Sequence, residues 1–321
     1  MRRIAIMKDC TEQEIALLKA AAQPEDTFFY FRSKQDFQDC AEKELIDIVF
    51  GEPGYNTILA MKHLRWIQMS WAGANKYTSM EAFPDNITLT SASGAFGGII
   101  SEHILADILV LYKNLRAYRS QLQQGGWQLL RGDDTLEGKR ALILGTGNIG
   151  QETAKKLKAF GADTVGICRT QRQRPDGFDE CYRADHLEEQ LPLADLVIVA
   201  LPGTGETKGM LCRQRIAMLK PGSVFVNVGR GMVVDTDALT EALEQGKLRG
   251  AVLDVTDPEP LPADHRLRRM EHVVLTPHVS GISWGDNPLT KQKILNIFCE
   301  NLKRDAAGER LRNIIDLQKG Y

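Results

Sequence analysis

The sequence predicts an α/β protein that has two domains, each built on a parallel sheet, and three observations support this. From Arg140 onward, apolar runs of strand length alternate with amphipathic segments of helix length. These runs are rich in Val, Ile and Leu without polar alternation, as is typical of parallel strands covered on both faces. The first ninety residues repeat the alternation more loosely. Right-handed crossovers would wind the series from Arg140 into a doubly wound sheet. The series in the first ninety residues would form a smaller parallel sheet.

The larger series contains six candidate strands, and the helix candidates between them end in Gly or Pro-Gly. Asp235 or Asp237 is placed to cap the last of these helices. The candidate strands cover residues 141–145, 164–168, 195–201, 223–229, 250–255 and 272–277.

The smaller series is followed by one long helix candidate that starts at Gly98, and its apolar residues recur at i, i+3 and i+4. We expect this helix to connect the two domains. The tail from about Asp286 predicts one more helix, which returns to the N-terminal domain. The predicted domains are therefore 1–93 with 287–321, and 94–286, and we expect them to meet at a cleft.

Composition excludes several classes of function. The 321 residues carry a net charge of -2 from 40 basic and 42 acidic side chains, so no overall field attracts nucleic acid or an anionic membrane. No stretch approaches the roughly 18 apolar residues of a membrane span, and the N-terminal segment is too short for a signal-peptide core. The six cysteines lack the paired spacing of metal or disulfide sites. The sequence predicts a soluble, cytoplasmic protein without a metal.

The segment GTGNIG follows a candidate strand and opens a candidate helix, which is the context of a dinucleotide-binding turn. Gly145 permits the tight turn, Gly147 lets backbone N–H groups approach a pyrophosphate, and Gly150 lets helix and strand pack closely. The helix N-terminus favours the anion. The alternative interpretation is a bare tight turn.

The segment CRTQRQRP, after the second strand, predicts the cofactor. NAD-binding proteins usually carry an acidic residue there, whereas this chain has Arg169, Thr170, Arg172 and Arg174, with no acid until Asp176. Arginines and a hydroxyl suit a 2′-phosphate, and we expect no carboxylate beside them. NADP(H) is therefore preferred, with NAD(H) as the second candidate. A solvated basic turn is the alternative.

Arg230, Glu259 and His278 lie at or beyond the carboxyl ends of candidate strands, where ligands bind in open α/β sheets. A guanidinium can hold a substrate carboxylate or polarise its carbonyl. An imidazole can protonate the new alkoxide, and a neighbouring carboxylate fixes the imidazole tautomer and favours its protonated form. Beside a nicotinamide, the three residues predict reduction of a carbonyl next to a carboxylate.

The chain resembles the D-isomer-specific 2-hydroxyacid dehydrogenase family over nearly its whole length. The resemblance rests on GTGNIG, NVGRGMVVD, GAVLDVTDPEPLP, TPHVSG and SASGAFGGIISEH. It implies a Rossmann dinucleotide-binding domain, a smaller flavodoxin-like substrate domain, and an active site in the cleft. It also implies hydride transfer from NAD(P)H to the keto carbon of a 2-keto acid, giving a D-2-hydroxy acid, and the reverse reaction.

The resemblance further implies a role for individual residues. Arg230 would bind substrate, His278 would be the acid/base, and Glu259 would be its partner. The backbone at Ala72 and Gly73 would receive the substrate carboxylate, with Arg230 and His278 completing the substrate site. Asp254 would lie near the nicotinamide amide. The expected cofactor contacts are Gly145, Thr146, Gly147, Asn148, Ile149, Gly150, Arg169, Thr170, Leu201, Pro202, Thr207, Val228, Gly229, Asp254, His278 and Gly281.

The sequence alone leaves three points open: the substrate side chain, the oligomeric state and one alternative function. The substrate side chain is not determined, since glyoxylate, hydroxypyruvate and larger 2-keto acids present the same carboxylate and carbonyl. Family members usually form homodimers through the nucleotide-binding domain, here through the helix from Gly98 and the loop with Trp127. A nucleotide-sensing binding protein similar to a corepressor is the alternative function, because such relatives keep the same three residues.

Overall fold

The computed structural model describes residues 1–78, 80, 83–169, 175–281 and 287–321. The chain divides into two units. The smaller unit contains Met1–Ala95 and Ser283–Tyr321, and the larger contains Phe96–Ile282. Each unit has its own sheet and its own apolar core.

In the smaller unit, the described residues form five strands that pair in parallel in the order β2-β1-β3-β4-β5. This confirms the smaller parallel sheet that the sequence predicts. The strands are β1 (Arg3–Ile6), β2 (Thr27–Tyr30), β3 (Ile48–Phe50), β4 (Trp66–Gln68) and β5 (Thr88–Thr90). The helices of this unit are α1 (Glu12–Ala21), α2 (Lys34–Asp39), α3 (Tyr55–Ala60), α4 (Asn75–Thr78) and the C-terminal α11 (Pro288–Ala306).

Helix α11 belongs to the smaller unit. Its N-terminus is capped by Asn287, whose side chain accepts a hydrogen bond of 2.9 Å from the Thr290 N–H. Further along, Phe298 stacks on Phe50 with 4.5 Å between ring centroids and lies 5.6 Å from the Trp66 ring. The last helix therefore completes a core that begins with the first strands.

In the larger unit, the described residues form seven parallel strands in the order β12-β11-β10-β9-β6-β7-β8. The sequence predicts six of these strands; β8 is not among them, because its four residues, ECYR, lack the continuous apolar pattern of the others. The strands are β6 (Arg140–Leu144), β7 (Asp163–Cys168), β8 (Glu180–Arg183), β9 (Leu196–Val199), β10 (Val224–Asn227), β11 (Gly250–Leu253) and β12 (Val273–Leu275).

The helices of the larger unit connect these strands, and Asp235 caps α10 by accepting a hydrogen bond of 2.9 Å from the Ala238 N–H. The sheet order reverses between β6 and β9, which makes their carboxyl ends the switch point where ligands bind in doubly wound sheets. The helices that follow β6 are α7 (Asn148–Ala159), α8 (Leu187–Gln190), α9 (Arg213–Ala217) and α10 (Thr236–Glu244).

The prediction of one long helix from Gly98 is wrong. The structure has two helices, α5 (Gly97–Tyr112) and α6 (Leu115–Gln123), and Asn114 between them has a φ of +52°. A left-handed residue interrupts the i to i−4 hydrogen bonds of a helix, and Asn tolerates that conformation better than most residues. Although α5 buries an apolar side, no helix in the described ranges is both long and apolar enough to cross a membrane.

Candidate functional site

The turn between β6 and α7 has the geometry of a phosphate-binding turn. Gly145 has a φ of +103°, which favours glycine. A Cβ at Gly150 would lie 2.0 Å from the Gly145 carbonyl oxygen, so only glycine lets α7 approach the turn this closely. In the described part of the chain, the N–H groups of Gly147, Asn148 and Ile149 donate to no protein acceptor. They are available to an anion at the positive end of the helix.

The other residues of this turn hold it in place. The Asn148 side chain accepts a hydrogen bond of 2.8 Å from the Gly97 N–H, which ties the start of α5 to the start of α7. The Thr146 carbonyl accepts a bond of 3.0 Å from the Gln151 side chain. The Asn148 side chain and the Thr146 carbonyl therefore help to hold the shape of the turn.

Arg169 lies directly after β7, beside the turn. Its Nη1 atom is 3.7 Å from Oε2 of Glu206. The expectation that no carboxylate stands beside Arg169 is therefore wrong, because the loop after β9 brings Glu206 there. The remaining residues of the predicted 2′-phosphate site lie outside the described residues: Thr170, Arg172 and Arg174.

The loops after β9 and β10 lie at the carboxyl ends of the strands, next to the turn after β6. The Thr207 hydroxyl donates a bond of 2.6 Å to the Pro202 carbonyl, which closes the loop after Leu201 on itself. A Cβ at Gly229, which follows Val228, would lie 2.5 Å from the Leu201 carbonyl oxygen. Glycine at this position therefore lets the two neighbouring loops approach each other.

Glu259 and His278 are in contact. Oε1 of Glu259 is 2.6 Å from Nδ1 of His278. Because an ionised carboxylate only accepts hydrogen bonds, Nδ1 carries the proton and Nε2 faces away from Glu259. His278 has a φ of +55°, a conformation that is uncommon for a residue other than glycine. The pair lines a cavity of about 460 Å³ with Asp254 and with Arg268, which the sequence analysis did not single out.

Arg230 follows β10 and is partly buried. Its Nη1 atom donates a hydrogen bond of 2.7 Å to the Gly229 carbonyl. Burial lowers the pKa of Arg230 below its ordinary value, and the charge of Glu259 opposes that shift. A guanidinium stays protonated near neutral pH even so. The structure thus places a buried positive charge within the field of the Glu259 carboxylate.

Asp254 anchors the loop that carries His278. Its carboxylate accepts four hydrogen bonds: 2.6 Å from the Thr276 hydroxyl, 2.8 Å from the Val279 N–H, and 3.1 and 2.5 Å from the N–H and hydroxyl of Ser280. Burial alone would raise the pKa of Asp254, yet these bonds lower it. The Asp254 carbonyl also accepts a bond of 2.9 Å from the His278 N–H. The loop continues to Gly281, at the end of a described range.

In the smaller unit, Ala72 and Gly73 lie in the loop after β4. Neither N–H donates to an acceptor within the described ranges, so both are available to an anion. Glu52, which is not among the site residues that the sequence predicts, is buried beside this loop. Its carboxylate accepts bonds of 2.7 and 2.9 Å from the N–H and hydroxyl of Ser70 and forms an ion pair of 2.7 Å with Lys8. A buried carboxylate was not detectable because no local pattern marks it.

Comparison with known proteins supports the family resemblance that the sequence motifs indicate. Residues 105–280 match the family model described as "D-isomer specific 2-hydroxyacid dehydrogenase, NAD binding domain". Glyoxylate/hydroxypyruvate reductase A from Serratia proteamaculans is 33% identical over 225 residues, which cover 69% of this chain and 68% of that protein.

Two solved structures resemble the whole chain. A D-isomer specific 2-hydroxyacid dehydrogenase family protein from Aeromonas salmonicida has 33% identity and a TM-score of 0.86, and the match covers 98% of this chain and 99% of that one. A D-isomer specific 2-hydroxyacid dehydrogenase from Xanthobacter autotrophicus, solved with NADPH and MES, has 26% identity and a TM-score of 0.84, with 100% and 99% covered. Nothing in these comparisons supports the alternative of a catalytically weak, nucleotide-sensing binding protein.

Proposed function

Because this chain belongs to the D-isomer-specific 2-hydroxyacid dehydrogenase family, we propose that Arg230, Glu259 and His278 are its catalytic residues. The chain is an oxidoreductase that transfers hydride between NAD(P)H and the keto carbon of a 2-keto acid. The observation that carries the assignment of residues is the 2.6 Å contact between Glu259 and His278, on a loop that Asp254 anchors. A bound nicotinamide cofactor supplies the hydride.

Each catalytic residue has a separate task. Glu259 accepts a hydrogen bond from Nδ1 of His278 and so fixes the orientation of the imidazole. In its protonated form His278 gives the Nε2 proton to the keto oxygen as the carbon is reduced. Arg230 holds the substrate through charge-assisted hydrogen bonds. In the reverse direction, neutral His278 takes the hydroxyl proton. We assign the N–H groups of Ala72 and Gly73 to the binding of a carboxylate.

The larger unit is the dinucleotide-binding domain in this proposal, and the smaller unit is the substrate domain. The unbonded N–H groups of the turn after β6 suit a pyrophosphate. Arg169 favours NADPH over NADH, with NADH as the second candidate. We propose glyoxylate, hydroxypyruvate or a related small 2-keto acid as the substrate, supported by the reductase from Serratia proteamaculans. A cytoplasmic homodimer formed through the larger unit completes the proposal.

Loss of nicotinamide absorbance tests the proposal directly. Purified protein is assayed with NADPH and NADH in parallel against 2-keto acids that run from glyoxylate to phenylpyruvate. We expect turnover of at least one acid, with NADPH preferred. Nucleotide binding without turnover of any acid would favour the binding-protein alternative.

His278→Ala should lower kcat by about 10² to 10⁴ because the keto oxygen loses its proton donor. The dissociation constant for the nucleotide should stay within about twofold, since the phosphate turn lies on another loop. His186→Ala, at an exposed histidine that pairs with Glu189, is the matched control and should keep near wild-type kcat. Loss of nucleotide affinity in His278→Ala, with unchanged kcat at saturation, would contradict the assigned role.

A further inference from the structure

Among the ion pairs of the described residues, Glu206 is the acidic partner of Arg169, the residue predicted to bind the cofactor's 2′-phosphate. Its Oε2 atom is 3.7 Å from Nη1 of Arg169, and the two side chains are 69% and 52% exposed. The pair therefore stands in solvent, where a nucleotide can reach both groups. Because it is exposed, it is weak and a ligand can rearrange it.

The loop that carries Glu206 is held by its own hydrogen bonds. The Thr204 N–H donates a bond of 2.9 Å to the Thr207 hydroxyl, and the Thr207 hydroxyl donates 2.6 Å to the Pro202 carbonyl. The Lys208 N–H donates 3.0 Å to the Thr204 carbonyl. Glu206 is therefore presented from an ordered turn, and its position beside Arg169 follows from the fold of the loop.

The order of the strands places this ion pair beside the phosphate turn. Strand β6, which ends at the turn, lies between β9 and β7 in the sheet. Glu206 lies on the loop after β9, and Arg169 follows β7 directly. The two residues thus come from both sides of the turn at Gly145–Gly147, at the edge of the sheet where a dinucleotide binds.

We propose that Glu206 is a specificity-determining residue for the cofactor. Its carboxylate lowers the preference for NADPH over NADH that Arg169 alone would give. This proposal rests on the proposed function. A 2′-phosphate brought to Arg169 is a like charge close to Glu206 and competes with it for the guanidinium. The free 2′-hydroxyl of NADH carries no charge, and a carboxylate accepts hydrogen bonds from ribose hydroxyls. Arg169 therefore favours NADPH and Glu206 favours NADH.

Glu206→Gln tests this directly, because it removes the charge and nearly conserves the shape. We expect NADPH to bind about two- to fivefold more tightly, the size of a screened interaction between exposed charges. The dissociation constant for NADH should stay unchanged or rise. Both constants are measured by titration of nicotinamide fluorescence, and kcat/KM with each cofactor should follow the same ratio.

Two matched variants accompany this measurement. Glu206→Asp keeps the charge and should keep the ratio of the two constants within about twofold. Glu241→Gln, on α10 of the same unit, removes a carboxylate that pairs with Arg213 of α9 and changes the net charge equally. It should leave the ratio at the wild-type value. The gain in NADPH affinity that Glu206→Gln produces should also shrink as ionic strength rises.

Several results would overturn the inference. Three outcomes would each exclude a charge effect at the 2′-phosphate. The dissociation constants for NADPH and NADH change equally, their ratio equals that of Glu241→Gln, or the gain in NADPH affinity does not depend on salt. The wild-type titrations separate this failure from that of the proposed function. If wild-type protein binds both cofactors and Glu206→Gln keeps its ratio, only this inference fails, whereas wild-type protein that binds neither cofactor would overturn both.

Discussion

Among single residues, Asp254 has a structural role in addition to the one that family resemblance implies. The resemblance places it near the nicotinamide amide, which stays a prediction. The structure shows a buried carboxylate, 2% exposed, that is engaged by the loop carrying His278. Because His278 has a positive φ, that loop needs an anchor, and Asp254 is suited to that purpose.

Asp254→Asn should lower the free energy of unfolding by about 1–3 kcal/mol near neutral pH, since an amide cannot accept from all the donors that the carboxylate satisfies. The pKa of Asp254 is lowered in the folded state. Its stabilising effect is therefore complete above the ordinary aspartate pKa of about 3.9 and is lost as pH falls through the lowered value.

The difference between wild type and Asp254→Asn, measured by urea unfolding from neutral to acidic pH, should accordingly shrink below about pH 4. Asp237→Asn, at an exposed position in the first turn of α10, serves as the control. A difference that stays constant through the acidic range would show that the carboxylate charge does not matter.

At the scale of elements, the break between α5 and α6 depends on one residue. Periodicity alone favours a continuous helix, because the apolar spacing persists across the break. Asn114 adopts the left-handed conformation, and its side-chain nitrogen is buried without a hydrogen-bond partner in the described part of the chain. Backbone conformation therefore decides where α5 ends.

Asn114→Gly should leave the free energy of unfolding within about 1 kcal/mol of wild type, since glycine accepts a positive φ and removes the unpaired donor. Asn114→Val should lower it by about 1–2 kcal/mol more than Asn114→Gly, because a β-branched residue is strained there. Urea unfolding of the two variants measures this. Equal stabilities would mean that the helix break tolerates any residue.

At the scale of the whole molecule, the chain leaves the smaller unit after β5, builds the larger unit, and returns in α11. The return is stabilised by aromatic contacts between the last helix and the first strands, with Phe298 fully buried against Phe50 and Trp66. The smaller unit therefore needs residues from both ends of the chain.

Phe298→Ala should lower the free energy of unfolding by about 3–5 kcal/mol, because it leaves a cavity in that core. Leu289→Ala, at a side chain that is 66% exposed in the first turn of the same helix, should change it by less than about 0.5 kcal/mol. Urea unfolding followed by Trp fluorescence compares them. Similar losses in the two variants would show that α11 is not a structural part of this unit.

The parallel sheets, the glycine-rich turn after β6 and the family are predictable from the sequence, because glycine spacing, continuous apolar runs and short motifs are local patterns. It also named both members of the Glu259 and His278 pair, whose contact the structure shows. Three contacts are visible only in the folded chain: Glu206 lies beside Arg169, Asp254 anchors the loop of His278, and Glu52 is buried beside Ser70. Those contacts depend on the path that a loop takes over the sheet, and residue spacing does not encode that path.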